Sequence, residues 1–315
     1  MGSGHNAGAE TTLHDILGIV KRAGHKATAL ASRPFKDGSG SYVLDGVMVQ
    51  AFASKRDPEL YFPNFDLILT QFECAQRAWY IGLKLGKPTV QLVHNNTEYS
   101  TNLALRYNDY LVYNSNHVRE SIESKMSTVK PAVTLHPPVD PRRYEVDSSR
   151  EYITLVNLSD GDEPFYNKGY DTFYQLAVAF PGEKFLGVKG AYGNQVVRDL
   201  PNVTIIEHTN NILDVYRKSK IILAPSEIES WGRVPIEAAC SGIPSLTSTA
   251  PGLMEHAIGY RQIPFGKTVD WVLALEDLLE NYRLASWEAT INANKLYEMS
   301  QREIRDFIEF IEQIK

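Results

Sequence analysis

Short apolar runs rich in Val, Ile, Leu and Tyr alternate along this chain with longer stretches whose apolar positions recur every three or four residues. The first pattern predicts strands buried on one or both faces, the second amphipathic helices. In the first half, strands are expected at "KATALAS", "VMVQAF", "FDLILTQF", "PTVQLVH", "YLVYNS" and "AVTLHPP". Helices are expected over 11–23 and 75–85, and another opens in "NSNHVRESIE" with Ser115 or Asn116 as its cap. A second series of strands follows at "EYITLVNL", "KFLGVKG", "VTIIEH", "KIILAPS" and "IPSLTST", with helices over 170–179, 212–218 and 234–240. Strands alternating with helices build crossover units around mainly parallel sheets, so the fold class is α/β.

Pro137 and Pro138 interrupt this rhythm, and the polar run 142–150 carries no apolar stripe. The boundary is placed there, giving a first domain over 1–148 and a second over 149–285, with a helical segment over 286–315 that returns to the first domain. A chain of 315 residues exceeds the size at which one core usually stops growing, which agrees with two domains. Ile304, Phe307, Ile308 and Ile311 form one stripe of the last helix, an ordinary packing face unless it serves a membrane or partner. Ligands of parallel sheets bind outside the carboxyl ends of strands, so function is expected in an interdomain cleft. A glycine-rich turn in such a domain ordinarily follows a strand. No strand pattern precedes "GSGHNAGAE", so the first strand is expected to be missing.

Composition narrows the chemistry. A formal charge of −6 argues against a nucleic-acid partner, whose phosphates require a basic surface, but leaves room for a small anion held by a few local donors. Cys74 and Cys240 lie far apart among apolar or small residues, and no histidine has metal-ligand spacing, so neither a disulfide nor a metal site is expected. No apolar run is long enough to span a bilayer, and the start lacks a secretion signal. A cytoplasmic location is expected, with attachment to a membrane surface left open.

The segment "IILAPSEIESWGRVPIEAACSGIP" concentrates the chemical interest. An apolar strand ends at Pro225, and Gly232 permits close backbone approach before a helix in whose first turn Pro235 is tolerated. Amides at such a helix start can hold phosphate oxygens. Glu229 on the loop and Glu237 in the helix place two carboxylates at different depths, each able to accept from a hydroxyl pair. On spacing alone, a solvated loop acid and a cap acid are the simpler reading.

The longer segment "PSEIESWGRVPIEAACSGIPSLTSTAPGLMEH" resembles the donor-site signature of the GT-B retaining glycosyltransferases of family four, the glycosyl transferases group 1, which include bacterial mannosyltransferases and sucrose and glycogen synthases. "NKGYDTFYQLA" resembles that family's lysine-glycine segment and "AGAETTLHDIL" its amino-terminal glycine loop and helix. The resemblance implies two Rossmann-like domains in the GT-B arrangement. It implies that Glu237 accepts from the nucleotide ribose, that Glu229 places the donor sugar, and that Lys168 approaches the diphosphate. Gly232 and Arg233 lie near that diphosphate by the same likeness, although the Arg233 side chain serves equally well as a cap for an acid. Gly8 is placed beside donor phosphates or acceptor, and Glu10 is either a ligand contact or a helix cap. His94 resembles a histidine that contacts the donor sugar, the alternative being a satisfied histidine at a strand end; Asn95, Asn96 and Glu98 then line the acceptor side unless they are ordinary loop polarity. Glu255 supports the later loop or is merely structural.

The implied reaction moves a sugar from a nucleoside diphosphate sugar to a hydroxyl acceptor with retention of configuration, without a metal or other cofactor. One departure stands out: relatives carry an arginine at the end of the strand before the lysine, where this chain reads "LVNLSDGDEPFYNKG". The diphosphate therefore loses one fixed cation. A noncatalytic nucleotide-sugar-binding or partner-stabilising protein, and a sugar-nucleotide hydrolase or epimerase, are the competing readings.

Overall fold

A computed structural model describes residues 8–31, 40–51, 57–161 and 167–314. The chain forms two compact units, one of residues 1–138 with 300–315 and one of residues 139–299. The division falls ten residues before the position read from sequence, because residues 139–148 pack onto the second unit. Tyr144 is buried there, its carbonyl accepts from Ser241 Oγ at 2.7 Å, and the same hydroxyl accepts from Val146 N at 2.8 Å. Residues 286–299 also stay with the second unit, so only the end of the helix Tyr282–Glu312 belongs to the first.

In the first unit, Ile68–Gln71, Thr89–Val93, Tyr110–Tyr113 and Ala132–Thr134 form a parallel sheet in sequence order. All five residues of Thr89–Val93 are buried, as befits a parallel strand covered on both faces. A smaller sheet pairs Thr28–Ala31 parallel to Val47–Ala51, with Ser41–Leu44 antiparallel on its other side. The strand Ser41–Leu44 was not expected. Its signal is Asp45-Gly46, both at positive φ (46° and 81°), the two-residue turn whose twist suits a hairpin. Phe307 is buried with Ile16, Val90, Leu92 and Val112, with Ile304, Ile308 and Ile311 packed around them, so the terminal stripe is a core face. The first element described is the helix Gly8–Arg22.

The second unit is a six-stranded parallel sheet in the spatial order Val203–Ile206, Lys184–Val188, Tyr152–Val156, Ser219–Ala224, Ser245–Ser248, Arg261–Ile263. Numbered along the unit this is 3-2-1-4-5-6, so the order reverses between Tyr152–Val156 and Ser219–Ala224. Loops leaving the carboxyl ends of those two strands border a crevice, the usual ligand position in such a sheet. Apolar side chains fill both faces, around Phe173, Phe185 and Trp271 on one and around Tyr216, Trp231 and Ile236 on the other. Among the described residues no helix is long and apolar enough to cross a membrane.

Candidate active site

Lys168 and Glu229 come from the two loops at this reversal point. Lys168 Nζ donates to Glu229 Oε2 at 2.7 Å, with about a fifth of each side chain exposed. Backbone contacts fix both. Lys168 N donates to Ser159 O, Asn167 Oδ1 accepts from Gly169 N at 2.7 Å, and Glu227 N donates to Asn167 O, which ties the two loops together. Gly169 then starts the helix Tyr170–Ala179 at φ 83°, where a Cβ would lie 2.3 Å from Pro225 O. Only glycine fits so close a crossing with that backbone. On the other side, Gly252 N donates to Glu229 O at 2.9 Å, and a Cβ on Gly252 would meet the Ser230 carbonyl carbon at 2.2 Å. The "APG" turn therefore presses directly on the glutamate loop. Glu255 is half-buried in the short helix Pro251–His256 that follows.

Gly232, at φ 82°, turns the chain into the helix Arg233–Ala239. Glu237 lies in that helix and only 6% of it is exposed. Its Oε1 accepts from Arg233 Nε at 2.9 Å and its Oε2 from Tyr216 Oη at 2.8 Å. A terminal guanidinium nitrogen of Arg233 donates to Tyr144 Oη at 3.0 Å. The structure thus places Arg233 in an interior network with Glu237, where the sequence allowed either a diphosphate contact or a cap on a solvent-facing acid. Burial first, and the adjacent Glu237 carboxylate second, push the Tyr216 phenol well above its ordinary pKa, so it remains a donor. Each carboxylate oxygen has a further acceptor site, so the network orients Glu237 without exhausting it. Neither tyrosine was foreseen: Tyr216 and Glu237 are 21 positions apart and no periodicity links them.

Asn157 occupies the loop where the resemblance calls for a cation. It sits at φ 78° with Oδ1 accepting from Ser159 N at 3.1 Å, and a Cβ on Gly190 would strike that oxygen. The position is a neutral turn.

The first unit holds His94, immediately after the buried strand Thr89–Val93. Its Nε2 lies 2.8 Å from Gln71 Oε1, and its ring stacks on Phe72 with centroids 5.0 Å apart. Phe72 adopts φ 46°, a left-handed backbone costly for a bulky residue, of the kind retained at functional sites. Burial lowers the His94 pKa to about 4, so the imidazole is neutral at ordinary pH. With Nε2–H donated to Gln71, Nδ1 carries the lone pair and acts as an acceptor. Asn114 Nδ2 fixes the His94 carbonyl at 2.8 Å. The Asn95 side chain accepts from Thr97 N and Oγ1, and Asn96 Nδ2 donates to Ser121 Oγ. Asn95 is thus engaged in the turn before the helix Glu98–Arg106, in whose first turn Glu98 lies exposed, whereas Asn96 ties that turn to the helix Asn116–Glu123. Gly8 opens the helix Gly8–Arg22, and among the described residues nothing lies within 4 Å of where a Cβ would stand. Glu10 is half-buried in its first turn. Gly4 lies outside the described residues.

Residues 198–293 match the family model described as "Glycosyl transferases group 1". No curated protein matches the chain. Among solved structures, HepE of Anabaena in complex with UDP-glucose superposes with a TM-score of 0.77 at 16% identity, covering 99% of this chain and 98% of that one. Sucrose-phosphate synthase from Thermosynechococcus elongatus gives 0.75 at 13%, covering 99% and 95%. A glycosyltransferase from Rickettsia africae gives 0.70 at 13%, covering 100% and 96%. These neighbours are GT-B glycosyltransferases, and the chain has their α/β fold.

Proposed function

We propose that this chain is a metal-independent, retaining glycosyltransferase that moves a sugar from a nucleoside diphosphate sugar to a hydroxyl acceptor. The observation that carries the reading is the Lys168–Glu229 pair at the reversal point of a six-stranded parallel sheet, with Glu237 held nearby in sequence on the following helix. The family match over 198–293, which contains Glu229 and Glu237, supports it, as does the UDP-glucose bound by the similar HepE.

In this reading the second unit binds the donor. Glu237 accepts from the ribose diol, its carboxylate aimed by Arg233 and Tyr216. Lys168 leaves or shares Glu229 to meet the diphosphate, and Glu229 turns to hydroxyls of the sugar. As the anomeric C–O bond to phosphate breaks, negative charge grows on the leaving diphosphate. An ammonium about 4 Å away is worth roughly 4 kcal/mol at a partly screened site. The acceptor hydroxyl attacks from the same face and gives its proton to the departing phosphate oxygen. His94 serves the sugar as a neutral acceptor through Nδ1, since a group with a pKa of about 4 is a poor base at neutral pH. Gly232 turns the chain into the helix that carries Glu237 and Arg233 orients that carboxylate, while Gly8 is assigned to the donor phosphates or the acceptor on the family resemblance alone. We place the protein in the cytoplasm.

Calorimetry with UDP, GDP and ADP, each compared with its nucleoside, tests the donor site. One diphosphate should bind, Lys168→Met should weaken it about tenfold or more while leaving the nucleoside unchanged, and Glu237→Ala should weaken both. Failure of every diphosphate to bind at millimolar concentration would sink the proposal. Asn157 in place of a cation favours one second reading, a nucleotide-sugar-binding protein without turnover. It is distinguished by donor binding that persists with no transfer across an acceptor panel.

A further inference from the structure

The second unit carries a cavity of ≈ 430 Å³ beneath one face of the helix Tyr282–Glu312. Pro244 and Gly259 border it, just before the strands Ser245–Ser248 and Arg261–Ile263, so it opens at the amino ends of these parallel strands. Lys168 and Glu229 follow carboxyl ends of the same sheet. The cavity is therefore separate from the donor site proposed above.

Its walls combine two chemistries. Trp287 projects over it with 62% of its surface exposed, although a large aromatic gains by burial. Ile258 and Ala289 supply an apolar floor. Glu288, Asn292 and Lys295 also line it; among the described residues none of these side chains forms a hydrogen bond or ion pair, and the Glu288 carboxylate acts electrostatically on the Tyr260 phenol, which shares the lining. Trp287, Ile291 and Lys295 follow one another at four-residue spacing, as do Glu288 and Asn292, so two neighbouring stripes of one helix present the whole set.

We propose that this cavity binds a neutral saccharide unit. The flat indole offers a platform for the apolar C–H face of a sugar ring, while a carboxylate, an amide and an ammonium supply acceptors and donors to its hydroxyl edge. Glu288 and Lys295 carry opposite charges, so the walls favour neither an anion nor a cation. A wholly apolar ligand would strip water from three polar groups without replacing their hydrogen bonds. The volume lies within the range of small-molecule sites, which ordinarily combine apolar walls with a few placed polar groups. The proposal stands independently of the transferase reading.

The test is a saturation-transfer and chemical-shift titration of the whole chain with methyl α-glucopyranoside, methyl α-mannopyranoside and maltotriose. At least one probe should bind saturably and shift the Trp287 indole N–H. Trp287→Ala should weaken that binding about tenfold or more, and Asn292→Ala about threefold, whereas Lys168→Met, at the donor site, should leave it unchanged. Trp287 is exposed, so its variant should keep the fold, which a circular-dichroism melt checks; Asn292→Ala provides the independent variant. The proposal is overturned if no probe binds, if Trp287→Ala and Asn292→Ala both bind as wild type does, or if Lys168→Met alone abolishes binding.

Discussion

Replacing Arg233 by Met should destabilise the second unit more than most single substitutions would. Arg233 and Glu237 each keep only 8% of their side chains exposed, and their contact is 2.9 Å. Methionine fills much of the space but leaves the Glu237 carboxylate with Tyr216 as its remaining donor and leaves Tyr144 Oη without the guanidinium. Removing one partner of a buried pair costs about 3–5 kcal/mol, because the other charge stays desolvated. That is a large fraction of the stability of a typical domain, about 5–15 kcal/mol. The double variant Arg233→Met with Glu237→Gln removes the stranded charge and should recover about half of the loss. Urea unfolding followed by tryptophan fluorescence measures both, with an independent probe such as circular dichroism checking that the transitions coincide. An Arg233→Met protein within about 0.5 kcal/mol of wild type, the range of ordinary surface changes, would refute the view that this pair is a buried orienting element.

Three further outcomes follow from the geometry. His94 titrates at about 4 when folded and near 6.5 when unfolded, so above pH 6.5 its contribution is fully present. As pH falls from 6.5 towards 4 the unfolded chain takes up the proton first, and wild type should lose at most about 3 kcal/mol; His94→Gln should lack this component, and equal pH slopes for the two proteins would contradict it. Gly169→Ala forces a Cβ to 2.3 Å from Pro225 O at φ 83°, so it should cost at least about 2 kcal/mol in a denaturant melt; an unchanged midpoint would show that the two loops do not cross so closely. Cys240 is buried with its thiol pushed up to about 12, first by desolvation, whereas Cys74 is exposed; iodoacetamide at pH 8 should therefore alkylate Cys74 first, and prompt alkylation of Cys240 in the folded protein would be the contrary result.

Much of the fold is legible because parallel strands buried on two faces leave continuous apolar runs, as in "TVQLV" and "KIILA". The strand Ser41–Leu44 escaped although its Asp45-Gly46 turn is readable, whereas Arg261–Ile263 is too short and polar to announce itself. At the candidate site, Lys168 and Glu229 are singled out by local motifs that place them on loops after strands, and the structure brings them to 2.7 Å. Their meeting depends on the 3-2-1-4-5-6 strand order, which no local pattern encodes. Arg233 shows the limit from the other side. Its position beside Gly232 suits an anion contact, but the helix turns its side chain inward to Glu237 four residues on, where Tyr144 and Tyr216 arrive from distant segments. The strain at Phe72 under His94 is likewise a tertiary property, since a strand-ending "TQF" gives no hint of a left-handed backbone.

The most direct test of the central claim is to incubate the purified chain with nucleoside diphosphate sugars and a panel of hydroxyl acceptors, following the anomeric proton by nuclear magnetic resonance. The account predicts stoichiometric release of nucleoside diphosphate and a glycoside with the donor's anomeric configuration, both lost in Lys168→Met. A product of inverted configuration, or turnover that survives the loss of Lys168 unchanged, would contradict it.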